Sequence, residues 1–387
     1  MTTVAILIPC LLIGGTEVAT LETASAFQSL GYSVDVVVYF DEVDATMLKT
    51  FKAAGLDVHL LNVQRAEGLR TQWRLAIGLI NVFRRGRFDA IWLQYMTPNL
   101  MPLALARLFT PNLVAAVHVA SSHYSPSGLN RIRWLARHWC NRFVCVSHTV
   151  ANGIFGEPDS DSRQTERVVV IPNALDMTNM QKAARLDWKV KIGWPLDAVV
   201  IGFAGRLTHI KGVDVLLQSA ADLHARGLNI RLAIVGDGFE RFGLESLARQ
   251  LGISHITHFA GRLPRDTIFS AIKGFDIAAM PSRDGLEGFG LSALEAMAAG
   301  VPVVASRVDA LQEVVQDDIA GLLCKIDDPK SLADALARLV ADKALRQRMG
   351  AAGIGHATHH YDSPAYRARI SNLLTSLGLP VLRSALT

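Results

Sequence analysis

The sequence is short of several things at once, and each shortage removes a class of protein. Its four cysteines, Cys10, Cys140, Cys145 and Cys324, are scattered through 387 residues. None has the close partner of a zinc site or a redox dithiol, so they read as reduced and mostly structural. Charged residues make up only 19% of the chain, half of it is apolar and no tract is of low complexity, which excludes a disordered protein. No apolar stretch approaches the ~20 residues that cross a bilayer. Residues 4–13 are apolar, but no basic residue precedes them and they run into Gly14-Gly15; a buried first strand fits them better than a signal peptide. The expectation is a cytoplasmic protein without a transmembrane anchor.

Acidic residues are also scarce in one region. Residues 61–142 hold eleven arginines against only Glu67 and Asp89, in a chain whose net charge is +4. Trp73, Trp92, Trp134 and Trp139 lie in the same stretch. Two readings stay open: an anionic membrane surface as partner, at the inner face of the cell membrane, or a solvated basic face with the tryptophans in the core. No recognition motif accompanies the charge, so nucleic acid is not expected as a partner.

What is present is alternation. Strand-like runs fall at 4–8, 33–40, 58–61, 90–94, 113–118, 142–147 and 167–171, with helix-like segments such as 16–30 between most of them. A second series starts near residue 198, with strands at 199–204, 231–235, 256–259, 277–280 and 301–305 and helices at 212–226, 240–251, 291–299 and 331–349. The fold class that follows is α/β, with two Rossmann-like, doubly wound parallel sheets. The length also exceeds what one core supports. The boundary falls at 176/177, and two such halves facing each other imply a deep cleft at their strand ends.

The most informative segment is Glu287-Gly288-Phe289-Gly290-Leu291, continuing to Glu295, Gly300 and Pro302. Gly288 and Gly290 let backbone approach a ligand, and a helix starting at Leu291 aims unpaired amides at it, an arrangement suited to a diphosphate. Glu287 before the helix and Glu295 one turn inside it can flank one ligand and accept bonds from hydroxyls. In the first half, Gly14-Gly15 opens the first helix, where amides face a ligand or simply make a tight turn.

This E-x7-E segment with its Pro281-Ser282 lead-in, the run Phe203-Ala204-Gly205-Arg206-Leu207 with Lys211-Gly212 behind it, and Val235-Gly236-Asp237-Gly238 together resemble glycosyltransferase family 4, whose two-domain fold is called GT-B. They span about 100 residues in the family's order. The resemblance implies a retaining transferase using a nucleotide diphosphate sugar, with no cofactor and no metal. It implies that Glu287 contacts donor-sugar hydroxyls, that Glu295 contacts the ribose, and that Arg206 and Lys211 hold the diphosphate. Gly15, Gly205, Gly236, Gly288, Phe289, Gly290 and Leu291 would line the donor site. The loop 261–264, with Arg262 and Leu263, would meet the base, uracil before guanine. His118, after the strand 113–118, resembles the family histidine that approaches the donor sugar and is, with Glu287, the candidate catalytic residue; His123 competes as an acceptor-side or surface residue. Ser147 resembles the serine ending the next strand. Asn173-Ala174-Leu175-Asp176 matches the hinge N-G-V-D with alanine for glycine, and Asp309-Ala310 replaces a downstream glycine pair. By the same resemblance residues 1–176 bind the acceptor, 177–360 bind the donor, and a C-terminal helix in 361–387 returns to the first domain. The donor would be a UDP-hexose or UDP-N-acetylhexosamine, with a GDP-sugar next, and the acceptor a glycan or lipid-linked glycan of cell-surface polysaccharide or glycolipid synthesis.

Three rivals share parts of this pattern. A GT-B epimerase or phosphorylase would use the same phosphate cradle. A nicotinamide oxidoreductase would use Gly14-Gly15 and Asp41, although G-x-G-x-x-G is lacking. A non-catalytic carbohydrate-binding protein would keep the fold but lose the cations or glutamates, all of which are present.

Overall fold

The computed structural model describes residues 2–97, 99–156, 167–283 and 287–381. Residues 382–387, the end of the expected C-terminal segment 361–387, lie outside the described residues.

The chain divides into two compact units, Met1–Ala174 with Ser363–Thr387, and Leu175–Asp362. In the first, β1 (Thr3–Ile8), β2 (Ser33–Phe40), β3 (Asp57–Val63), β4 (Ala90–Leu93), β5 (Asn112–Val117), β6 (Arg142–Cys145) and β7 (Val168–Val170) form a parallel sheet in the order β3-β2-β1-β4-β5-β6-β7. In the second, β8 (Val199–Ala204), β9 (Ile230–Val235), β10 (Thr257–Gly261), β11 (Ile277–Met280), β12 (Val303–Ser306) and β13 (Gly321–Cys324) run parallel in the order β10-β9-β8-β11-β12-β13. Both orders reverse beside the first strand of the series, the point where loops diverge and doubly wound sheets bind ligands. All of β8 and all of β4 are buried, because helices cover both faces of each sheet, which is why these strands read as unbroken apolar runs.

The first unit is completed by the chain's last helix, Ser363–Ser376. It packs on the helix Gly15–Ser29, where the Thr23 hydroxyl and the Tyr366 phenol lie 2.8 Å apart in the core. Small residues (Ala19, Ala24, Ala26) on the earlier helix permit this close approach while it also covers the sheet.

Three features depart from the sequence expectation. The stretch 331–349 is two helices, Pro329–Ala341 and Lys343–Tyr361, divided at Asp342, whose carboxylate accepts the Leu345 amide at 2.8 Å as an N-cap. β13 was not anticipated, being only four residues long. Ala174, at the expected glycine of the hinge, is buried and avoids a positive φ, so the turn there needs no glycine.

Candidate functional site

The site in the second unit starts at the end of β8. The Gly205 amide donates to the Val235 carbonyl at 3.0 Å, so the loops after β8 and β9 touch backbone to backbone. Gly236 has φ 137°, and a Cβ there would stand 1.8 Å from the Gly205 oxygen; only glycine fits. The Gly236 amide in turn donates to the Gly261 carbonyl at 2.9 Å, which brings the start of the loop after β10 alongside. In that loop Arg262 is exposed and Leu263 half-buried.

Beyond Arg206, itself exposed, a 3-10 turn His209–Lys211 closes on Gly212. Gly212 has φ 63°, and a Cβ would lie 2.0 Å from the Pro281 oxygen. This contact presses the turn carrying Lys211 against the segment after β11. There the Lys211 ammonium meets Glu287 Oε2 at 2.5 Å, and the Ser282 hydroxyl donates to the same oxygen at 3.1 Å. The two charged side chains are 24% and 13% exposed. Burial works to raise the Glu287 pKa, but Lys211, Ser282 and the more distant Arg206 outweigh it and hold the carboxyl below its usual range. Glu287 is therefore a carboxylate with a cation already bound.

Gly290, at φ 92°, is the cap before the helix Leu291–Ala298, and a Cβ on it would press to 2.5 Å from Leu311 Cδ2. The first amides of this helix have no intrahelical acceptors and carry its positive dipole end. Gly288 is buried, Leu291 half-buried, and Glu295 sits one turn inside, also half-buried. The Phe289 ring is 5% exposed and meets Tyr361 edge-on at 5.6 Å; its side chain belongs to the core, leaving its backbone for a ligand.

One residue of this cluster had no signal in the sequence. Arg283 forks onto the Asp214 carboxylate at 2.8 and 2.6 Å, donates to the His209 carbonyl at 2.7 Å and reaches Asp327 at 2.9 Å, while its amide bonds the Ile210 carbonyl at 2.7 Å. Burial pushes the Asp214 carboxyl up, and the guanidinium more than reverses this. Arg283 thus grips both sides of the turn that presents Lys211.

The other expected site residues, Gly15 and His118, lie in the first unit. Gly15 is the exposed first residue of the helix Gly15–Ser29, and the buried Glu17 braces the loop before it by accepting the Leu12 amide at 3.1 Å. His118 follows β5, and both its ring nitrogens are buried with no hydrogen-bond partner among the described residues. Burial pulls its pKa down to about 4, so the imidazole is neutral at physiological pH. Ser147 is 1% exposed and caps the helix His148–Phe155 by accepting the Val150 amide at 3.1 Å, a structural duty; His123 is exposed and stands edge-on to Tyr124. Gln94 was missed by sequence reasoning: it follows β4, is 1% exposed, accepts the Trp92 indole N–H, and has an amide nitrogen with no partner among the described residues. Pairing of Leu93 with Ala115 sets Gln94 beside Ala116, two residues before His118.

No group of three or more His, Cys, Asp or Glu among the described residues could hold a metal ion. The described cysteines are unpaired thiols, and burial pushes Cys140 up to about 12 and raises Cys145 as well.

Comparison with known proteins bears on both units. The family model described as Glycosyltransferase Family 4 matches residues 13–179, and that described as Glycosyl transferases group 1 matches residues 184–356. A D-inositol 3-phosphate glycosyltransferase of Corynebacterium urealyticum is 33% identical over 378 residues, covering 90% of this chain and 87% of that protein. The same-named protein of Nocardia farcinica is 27% identical over 391 residues, covering 89% and 81%. Among solved structures, Anabaena Alr3699/HepE in complex with UDP and glucose superimposes with a TM-score of 0.79 at 19% identity, covering 97% of this chain and 100% of that one. WaaG, a glycosyltransferase involved in lipopolysaccharide biosynthesis, gives 0.70 at 17% identity, covering 96% and 99%. The oxidoreductase alternative falls with these matches, since both units align to transferase families. The chain belongs to glycosyltransferase family 4 and is a glycosyltransferase with the GT-B fold.

Proposed function

We propose that this protein is a retaining glycosyltransferase that moves a hexosyl or N-acetylhexosaminyl group from a UDP-sugar to a glycan or lipid-linked glycan acceptor. The observation that carries the donor half is the Lys211–Glu287 pair at 2.5 Å, set between the Gly205–Gly236 backbone contact and the N-terminus of the helix Leu291–Ala298. Support for UDP comes from solved neighbours that hold UDP and UDP-glucose.

In this reading the departing diphosphate is met by Arg206, by the Lys211 donors not engaged with Glu287, and by helix amides, which stabilise leaving-group charge without a metal. Glu287, fixed as a carboxylate, accepts hydrogen bonds from donor-sugar hydroxyls, and Glu295 accepts from the ribose. His118, neutral and without a partner among the described residues, offers its ring to a sugar hydroxyl. The acceptor attacks from the face the nucleotide leaves, through an oxocarbenium-like state, with the leaving phosphate taking the acceptor proton. Arg262 and Leu263 border the base.

A second acceptor reading has its own support. The 33% identity to a D-inositol 3-phosphate glycosyltransferase over most of both chains favours a small phosphorylated polyol.

Thermal shift with UDP, GDP and their sugars, repeated on Arg206→Ala and Glu295→Ala, tests the donor. Stabilisation by UDP that both substitutions abolish supports the site; indifference to every nucleotide ends the reading. Donor turnover with lipid-linked glycans against inositol phosphates separates the acceptors, and NMR of the product's anomeric centre tests retention.

A further inference from the structure

The helix Leu69–Gly86 turns an unusual face to solvent. Its inner side is ordinary: Leu75, Leu79 and Phe83 are buried. Its outer side carries Leu69 (79% exposed), Trp73 (67%) and Ile77 (54%), spaced i, i+4, i+8 and so aligned in one stripe. Single exposed apolar residues need no explanation, but three large ones in register on one helix do. Beside the stripe, at 100° per residue, come Arg70 and Arg74, and Arg84 lies about two turns beyond Ile77. None of these arginines makes a hydrogen bond or ion pair with a described residue, and the helix contains no Asp or Glu.

Several other arginines of the basic segment behave differently. Arg65 pairs with Glu42, Arg107 bonds the Pro111 carbonyl, and Arg142 bonds Ser376. Trp92 is 2% exposed in the core. The charge excess of residues 61–142 is therefore partly structural, while four arginines without a partner among the described residues, Arg70, Arg74, Arg84 and Arg85, lie on this one helix beside its exposed apolar stripe.

We infer that the outer face of the helix Leu69–Gly86 docks on an anionic lipid surface, with Leu69, Trp73 and Ile77 entering the headgroup boundary and the arginines meeting lipid phosphates. Charge complementarity selects this occupant. A second copy of the chain would set unpaired arginines against arginines across a two-fold interface, whereas an anionic bilayer satisfies both halves of the face at once. The inference is independent of the donor and acceptor readings above.

The experiment is co-sedimentation of the full chain with vesicles of phosphatidylcholine alone and of phosphatidylcholine with phosphatidylglycerol, for the wild type, Trp73→Ser/Ile77→Ser and Arg70→Gln/Arg74→Gln. The substituted side chains are exposed, and an unchanged Tm verifies folding. Binding to anionic vesicles only is expected, weakened about 30-fold by the arginine pair and about tenfold or more by the apolar pair, with high salt weakening the wild type. Absence of binding to anionic vesicles overturns the inference. So does binding that neither variant reduces, which would place the contact on another surface. Sedimentation velocity adds a third outcome: concentration-dependent dimers lost in Trp73→Ser/Ile77→Ser, without vesicle binding, would replace the lipid with a second copy.

Discussion

At the strand ends of the second unit, Lys211, Glu287 and Ser282 are already joined around one carboxylate oxygen. At the ends of β4 and β5 in the first, the Gln94 amide nitrogen and both His118 nitrogens are buried with no partner among the described residues. The first arrangement is complete without a ligand and holds charge in place at no reorganisation cost. The second is costly as it stands, because a buried polar group without a partner loses its hydration and gains nothing. One region concentrates paired charge, and the other holds neutral donors and acceptors that have no partner among the described residues.

That contrast can be broken in order of expected effect. Lys211→Ala should lower kcat/KM about 10³-fold by removing a cation from the developing diphosphate charge; steady-state kinetics showing less than a tenfold loss would mean the pair is structural. Gly236→Ala should destabilise the fold by about 3 kcal/mol or more, since its Cβ lands on the Gly205 carbonyl at a positive φ. The expected fall in Tm is roughly 6–12 °C by calorimetry, and an unchanged Tm would show that the two loops can part freely.

His118 gives a pH test. Its folded pKa, about 4, lies below the ~6.5 of an unfolded histidine. The unfolded chain therefore takes up the proton first, and stability falls as pH drops from ~6.5 towards ~4 while being fully retained above that window. Relative to His118→Gln, the wild type should lose up to about 3 kcal/mol across it, read from denaturant midpoints. Parallel curves would show that the ring finds a partner in solution. The smallest effect is expected from Arg283→Lys, which keeps charge but loses the fork on Asp214. It should lower kcat/KM about tenfold through misplacement of Lys211, mainly in KM, with Glu287→Gln abolishing the difference between Arg and Lys at 283.

Much of the frame was legible because burial on both faces writes itself as unbroken apolar runs: β8 and β11 fall where 199–204 and 277–280 were expected. The break at Asp342 was not, since the helical period runs on through it and only a local cap interrupts. At the site, glycines at loop contacts and the E-x7-E segment are visible by type and spacing. The Lys211–Glu287 contact spans 76 residues and could be anticipated only through a resemblance. Arg283 and Gln94 carry no motif at all. One matters through partners 69 and 44 residues away, and the other through a missing partner, which no sequence records.

The last helix sets an order of events in synthesis. Tyr366, Ile370, Leu373 and Leu374 complete the core of the first unit, so its strands from Val4 onward cannot close that core until residues 366–374 have left the ribosome. The second unit, Leu175–Asp362, is continuous and whole about a dozen residues before Leu374. Domains commonly fold from the N-terminus onward as they emerge. Here the second unit is the first able to finish, while the earlier-made half waits with the flank of the helix Gly15–Ser29 uncovered. Premature release of the nascent chain would therefore yield a folded second unit tethered to an incomplete first one, a species that proteases and chaperones meet before any substrate does.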